Sequence, residues 1–214
     1  MALGTENCHA RGVTEREKHW QGVYGSKAAD AVSWYEREAT TSLAMIEATG
    51  VAHADPIVDV GAGASVLVDG LLAKGFSDVT ALDVSEAALA ITKARVGDRA
   101  KYVVGDVTAW KPDRTYALWH DRAVFHFLVD EDSRARYRAT LAAALREGGH
   151  AIVATFAEDG PEKCSGLDVR RYSPEALAAE LSPVLAMLES RRVVHVTPWG
   201  AEQKLVYARF VKNV

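Results

Sequence analysis

Ile57-Val58-Asp59-Val60-Gly61-Ala62-Gly63-Ala64-Ser65 is the stretch that decides the fold of this 214-residue chain. Its first four residues, with Pro56 ahead of them, are short, mostly apolar and β-branched, as in a strand buried on both faces of a parallel sheet. The glycines that follow allow a turn where backbone can pass close to a ligand, and Ser65 to Lys74 reads as the next helix. Gly-Ala-Gly alone is also what close strand-to-helix packing would select, so the reading depends on what surrounds it.

Downstream, Val79 to Leu82 predicts a second strand, Glu86 to Arg95 a second helix and Lys101 to Val104 a third strand. Tyr116 to Trp119 follows as a fourth strand, Arg134 to Arg146 as a helix, and His150 to Phe156, after Gly148 and Gly149, as a fifth strand. Strand and helix alternating in this way predict an α/β fold with a doubly wound, mostly parallel sheet. After a helix at Pro174 to Leu181, Arg192 to Val196 and Lys204 to Val211 are joined through Pro198 and Gly200 and read as a hairpin. Upstream, residues 14 to 50 are helix-like and carry Trp20, Tyr24, Trp34 and Tyr35. The length fits one domain, with residues 1–50 as a helical lid segment and 51–214 as a cofactor-binding core.

Three acids give the glycine turn its chemistry. Asp83 lies 22 residues beyond Gly61 at the end of the second strand, where a carboxylate can accept hydrogen bonds from both ribose hydroxyls of an adenosine. Asp106 follows Gly105 at the end of the third strand, and Asp59 stands just ahead of the turn. All three fall at the carboxyl ends of adjacent strands, facing the crevice where open α/β sheets bind ligands. A dinucleotide would call for a fuller glycine pattern and a helix start free of negative charge, whereas Asp59 would repel a pyrophosphate. An ammonium-bearing ligand without phosphates, S-adenosylmethionine, fits better.

The chain also resembles the class I S-adenosylmethionine-dependent methyltransferases over most of residues 55 to 211. The likeness rests on Ile57 to Gly63, Ala81-Leu82-Asp83-Val84-Ser85, Gly105-Asp106-Val107, and Leu145 to Ala151 leading into the fifth strand. It implies a seven-stranded sheet of order 3-2-1-4-5-7-6 with an antiparallel seventh strand. It also implies that Gly61, Ala62 and Gly63 lie beside the methionine portion, Asp83 on the ribose, and Asp106 on the adenine amino group with Val84 and Val107 against the ring. Ser65 stands where many members have a third glycine. More narrowly, His19-Trp20-Gln21-Gly22-Val23-Tyr24, Val32-Ser33-Trp34-Tyr35, His120 to Phe127, and Gly160 to Leu167 resemble a bacterial group of small methyltransferases with unassigned substrates.

Methyl transfer from a sulfonium is an in-line displacement, so alignment of the reactants in a dry pocket can supply much of the rate. Trp20, Tyr24 and Trp34 are candidates for a cover over the cofactor, with packing of an amphipathic helix as the alternative. His120, Asp121 and Arg122 are the catalytic candidates, at the expected end of the fourth strand. His120 would take the acceptor's proton, position the acceptor, or hold the cofactor's ammonium through its carbonyl, while Asp121 and Arg122 could equally form a local ion pair. Tyr35, Phe125, His126, Cys164 and Arg171 are candidates for acceptor contacts, against plain packing or a solvated surface. His195 and Trp199 could close the pocket from the terminal hairpin or simply pack along the edge strand.

A formal net charge of −4 without basic runs argues against nucleic acid. Cys8 and Cys164 are too few for a disulfide framework or a structural zinc site, no metal is demanded, and a reducing cytoplasm suits them. No export signal or membrane span is evident. Oligomeric state is left open. The expected activity is methyl transfer from S-adenosylmethionine to a small molecule, with S-adenosylhomocysteine as product; a thiol or other soft nucleophile would need little help from a base. The alternatives are a protein lysine methyltransferase, a non-catalytic cofactor-binding module and, least favoured, an oxidoreductase.

Overall fold

The computed structural model describes residues 14–26 and 28–213, so Cys8 lies outside the described residues. In chain order the elements are α1 (Glu15–Ser26), α2 (Thr40–Glu47), β1 (Ile57–Val60), α3 (Leu67–Ala73), β2 (Val79–Asp83), α4 (Glu86–Val96), β3 (Lys101–Val104) and β4 (Tyr116–Arg122). Then come α5 (Glu131–Ala144), β5 (Leu145–Phe156), β6 (Lys163–Cys164), β7 (Leu167–Asp168), α6 (Pro174–Leu181), β8 (Leu185–Val196) and β9 (Glu202–Lys212). The main sheet runs β3-β2-β1-β4-β5-β9-β8, and β6 with β7 forms a separate two-stranded ribbon. With that ribbon set aside, the order is the expected 3-2-1-4-5-7-6. Strands β1 to β5 pair in parallel, and β9 is antiparallel to both β5 and β8. Among the described residues no helix is long and apolar enough to cross a membrane.

Each sheet face buries its own apolar layer. Val58, Val60, Trp119 and Val153 pack on one side with Tyr137 and Leu141 of α5 and Leu177 of α6. Ile57, Ala81, Leu118 and Ile152 pack on the other with Met45 and Ile46 of α2, Leu71 of α3 and Leu89 of α4. The helix starts are written locally: Ser85, Asp130 and Ser173 accept from the backbone N–H of Ala88, Ser133 and Ala176, each at a helix N-terminus.

Several predicted boundaries move. The helix expected at 134–146 begins at Glu131, behind the Asp130 cap, and ends at Ala144, because Leu145 and Arg146 already belong to β5. β8 starts at Leu185 instead of Arg192; its Glu189-Ser190-Arg191-Arg192 stretch is polar because this strand is the sheet edge and meets water. Residues 14–50 are two helices separated by irregular chain over residues 28–39.

β4 extends to Arg122, three residues beyond the expected Trp119, and this divides the His120-Asp121-Arg122 triplet. Successive strand residues point to opposite faces. Asp121 therefore projects with Trp119 toward α5, and His120 with Arg122 projects the other way. Trp119 Nε1 donates to Tyr137 Oη at 2.9 Å, and that hydroxyl donates to Asp121 Oδ2 at 2.6 Å. The Val124 and Phe125 amides also donate to Asp121, at 2.9 and 3.2 Å, closing the turn after β4. Burial lifts the Asp121 carboxyl to about 6 against these donors. The expectation of a catalytic Asp121 is thus corrected: it is a fully buried turn-closing group facing away from the ligand cleft.

Replacing Tyr137 by Phe strands the Trp119 N–H and removes one donor from Asp121, which should cost about 1–3 kcal/mol. A fall in melting temperature of several degrees, read by circular dichroism, is expected with secondary structure retained; an unchanged melting temperature would refute the role given to this network.

Candidate functional site

Two connected chambers lie over the carboxyl ends of β1, β2, β3 and β4, sharing Tyr24, Trp34, Gly61 and Arg122 as a common wall. The first, with about 740 Å³ of space partly open to solvent, is bordered by Asp83, Val84, Asp106 and Val107 on one side. Trp20, Val124, Phe127, Leu128 and Cys164 border it on the other. The second lies against Asp59, Ala62, His120, Ser42 and Tyr35. Sequence reasoning therefore named residues from most of the walls.

Asp83 ties the glycine turn to β2. Its Oδ2 accepts from Gly63 N at 2.8 Å and its Oδ1 from Ser85 N at 2.7 Å. Burial raises this carboxyl to about 6, opposed by those amides, and nearby Asp59 adds to the rise. The turn depends on its glycines: Gly61 and Gly63 have φ of 65° and 49°, in the left-handed region. A β-carbon on Gly61 would lie 2.0 Å from Val124 Cγ2, and one on Gly63 would lie 2.6 Å from Tyr24 Oη.

Helix α1 covers the first chamber and is fastened to it by polar contacts. Arg16 Nη1 meets both oxygens of Asp106, at 3.2 and 3.0 Å. Gln21 Oε1 accepts from Ser85 Oγ at 3.0 Å and from Ala87 N at 3.2 Å. Trp34 Nε1 donates to Tyr24 Oη at 3.1 Å, and Trp20 meets Trp34 and Phe127 edge to face, with ring centroids 5.5 and 5.2 Å apart. Burial, reinforced by Asp83, holds the Tyr24 phenol well above its ordinary range, so it stays neutral. Arg16 and Gln21 escaped sequence reasoning, which weighed this segment for its aromatic rings; their spacing with Tyr24 on one helix was the available signal.

His120 sits opposite Asp59 in the β1–β4 register, and partners in a parallel pair share a face. Its Nδ1 meets Asp59 Oδ1 at 2.7 Å and its Nε2 meets Ser42 Oγ at 2.9 Å, so both ring nitrogens are engaged. Asp59 Oδ2 is buried and has no hydrogen-bond partner among the described residues. Arg122 does not pair with Asp121. It donates to Tyr207 Oη at 2.8 Å and Trp34 O at 3.0 Å and forms an ion pair with Glu36 at 3.0 Å. With His195 Nε2 donating to Ser33 O at 2.7 Å, it pins the irregular 28–39 segment to the sheet. Trp199 is exposed and closes nothing.

Three expected acceptor contacts are corrected. Phe125 and His126 are fully buried, Phe125 against Tyr137 and Tyr172, His126 between Phe127 and Phe156. His126 Nδ1 accepts from Phe156 N at 3.3 Å, and burial together with Arg122 depresses the ring to about 3, leaving it neutral. Arg171 lies at the surface, bound to Gly160 O and Glu162, each at 3.1 Å. Cys164 does border the first chamber; burial lifts its thiol to about 11, so it is not a thiolate at neutral pH.

A reversal of strand order at β1/β4, a glycine turn above it and acids at the ends of β1, β2 and beyond β3 define a Rossmann-like site built for a nucleoside with a cationic end. Comparison with known proteins points the same way. Residues 57–149 match the methyltransferase domain family, and the chain has the class I, Rossmann-like fold of S-adenosylmethionine-dependent methyltransferases. No curated protein sequence matches the chain. Among solved structures it is similar to 1,6-didemethyltoxoflavin-N1-methyltransferase of Burkholderia thailandensis, bound to 1,6-didemethyltoxoflavin and S-adenosylhomocysteine. That likeness has 25% identity over 82% of this chain and 80% of the other, with a TM-score of 0.63. The N-methyltransferase NodS from Bradyrhizobium japonicum shares the fold at 18% identity, 83% and 87% coverage and a TM-score of 0.66. So does the glycopeptide N-methyltransferase MtfA, at 18% identity, 84% and 92% coverage and 0.64.

Asp83 gives this site a pH signature. Only the ionised carboxylate can accept from two ribose hydroxyls with both oxygens, and protonation sets in as pH falls through about 6. S-adenosylhomocysteine affinity should be steady above pH 7 and drop below pH 6 with a limit of about tenfold per unit. Calorimetric titration from pH 5 to 8 reads this directly, and Asp83→Asn should bind roughly tenfold or more weakly with the slope gone. A wild-type affinity that stays flat across that range would remove Asp83 from the ribose.

Proposed function

We propose that this chain transfers the methyl group of S-adenosylmethionine to a small molecule through a soft nucleophile, a thiol in first place. The proposal assigns Asp83 to the ribose, Asp106 with Val84 and Val107 to the adenine, and the glycine turn with Asp59 to the amino-acid end. When bound, the cofactor supplies an electrophilic methyl group on a sulfonium with a good leaving group. The protein's own residues have to place the acceptor in line with that methyl and keep water out.

The observation that carries this reading is the chemistry of the first chamber beyond its acids. Val124, Phe127, Leu128, Cys164, Trp20 and Trp34 offer an apolar surface, and the charged residues bordering it are Arg16, Asp83, Asp106 and Arg122. Arg16 is paired with Asp106 and Arg122 with Glu36, while Asp83 belongs to the nucleoside. Among the described residues, a wall of this kind presents no unengaged general base to a hydroxyl or ammonium acceptor. A thiol, whose ordinary pKa is near neutrality, needs none. A second reading has specific support: a heteroaromatic nitrogen also attacks without a strong base, and the similar Burkholderia enzyme acts on N1 of 1,6-didemethyltoxoflavin. Protein lysine methylation and a non-catalytic role receive no comparable support.

Incubating the protein with labelled S-adenosylmethionine and parallel panels of small thiols and N-heterocycles separates these readings. Methylated thiol is expected, with a rate that climbs with the thiolate fraction. Label on heterocycles alone would favour the second reading, and label in a protein band or none at all would reject a small-molecule acceptor. Trp34→Ala opens the wall common to both chambers and should lower kcat/KM by roughly ten- to a hundredfold, the cost of losing a buried aromatic contact of about 1.5–3 kcal/mol.

A further inference from the structure

Below the second chamber a chain of buried polar groups runs outward from Asp59. Asp59, His120 and Ser42 are each 3% exposed or less. A carboxylate only accepts, so the 2.7 Å contact places a hydrogen on His120 Nδ1, and Ser42 Oγ completes the ring at Nε2, 2.9 Å away. The Ser42 side chain also hydrogen-bonds the Tyr207 hydroxyl, which accepts from Arg122 Nε at 2.8 Å. Among the described residues, the atom of this network left without a partner is Asp59 Oδ2.

An unpaired carboxylate oxygen buried beside a ligand chamber is costly, and an apolar residue would serve a purely structural role better. Its position is specific. Asp59 borders the chamber together with Gly61, Ala62 and Ala64 of the glycine turn. The group that satisfies such an oxygen is a hydrogen-bond donor, and a cation repays more of the burial than a neutral one. We infer that Ser42 and His120 are positioning residues that hold Asp59 as the seat for the cofactor's α-ammonium group. His120 fixes one oxygen so that the other stays turned to the ligand, and Ser42 fixes the His120 ring. Ser42 belongs to α2, outside the 57–149 match, so the N-terminal segment contributes to cofactor binding from below as well as from above. With both ring nitrogens committed, His120 works through Asp59 and takes no proton from the acceptor.

This inference rests on the proposed use of S-adenosylmethionine, and a pair of ligands tests the two separately. S-adenosylhomocysteine carries the amino-acid end; 5′-methylthioadenosine keeps the nucleoside and thioether and lacks it. Calorimetric titration of both is made against wild type, Asp59→Asn, Ser42→Ala, His120→Leu and His120→Asn, with melting temperatures as the check on folding. Asp59→Asn and His120→Leu are expected to weaken S-adenosylhomocysteine roughly tenfold or more, Ser42→Ala by less, and His120→Asn, which keeps a donor for Asp59, to recover most of the loss. The affinity for 5′-methylthioadenosine should stay within about twofold throughout, the range expected when no contact is lost. Equal losses for both ligands, or none for either, overturn the inference. If His120→Leu does not fold, the near-isosteric Asp59→Asn and Ser42→Ala decide the matter by the same ratio. Wild-type protein that binds neither ligand removes the cofactor reading, and the inference with it.

Discussion

The parallel pairing of β1 with β4 is the constraint on which the site depends. It sets Asp59 opposite His120 and Val60 opposite Asp121, and strand alternation then sorts these residues between the two faces of the sheet. One face receives the ligand machinery and the other a closed hydrogen-bond network beneath α5. A slip of one residue would exchange the faces, turning Asp121 toward the chamber and burying His120 beneath α5. The burial of apolar neighbours on both faces, Val58 and Val60 on one and Ile57 and Leu118 on the other, makes that slip prohibitive. The chemistry of the site is thus protected by the core beside it.

The N-terminal segment adds what the sheet cannot. An open α/β crevice exposes its ligand to water on the side away from the strands, and here α1 and the 28–39 segment close that side. Their aromatic rings supply area, but area alone would let a helix slide. The Arg16 contact to Asp106, the Gln21 contacts to Ser85 and Ala87, and the Arg122 contacts to Trp34 and Glu36 fix the position. Half-exposed ion pairs are worth little in stability. Their value lies in geometry: Arg16 and Gln21 fix α1 to Asp106 after β3 and to Ser85 and Ala87 after β2, beside the first chamber.

How much of this was legible in the sequence follows from the range of the interactions. The glycine turn, Asp83 and Asp106 are local features, a short strand ending in a fixed turn, and the strand order follows from alternation of elements. The His120-Asp121-Arg122 triplet was misread as one functional unit because β4 was expected to stop at Trp119; three further residues of strand divide it between faces. Phe125 and His126 read as pocket residues for the same reason, since the turn that Asp121 closes folds them into the core. Ser42 and Glu36 carried no local signal. Ser42 acquires its role from a residue 78 positions away and Glu36 from one 86 positions away, and only the folded sheet brings them together.

Burial keeps several polar groups in and around the chambers uncharged. Cys164, Tyr24 and His126 lie in or beside the chambers, and burial drives each toward its uncharged form: the thiol and phenol upward, the imidazole downward. An apolar wall is the environment in which a displacement on a sulfonium gains most, because the reaction disperses charge, and a medium without strong dipoles does not hold the cation back. Under the proposed function, an acceptor molecule would arrive with an available lone pair. Such a site would select among nucleophiles by their protonation state in water before they enter. That selection would rest on the desolvation that Trp20, Trp34 and Phe127 impose around the first chamber.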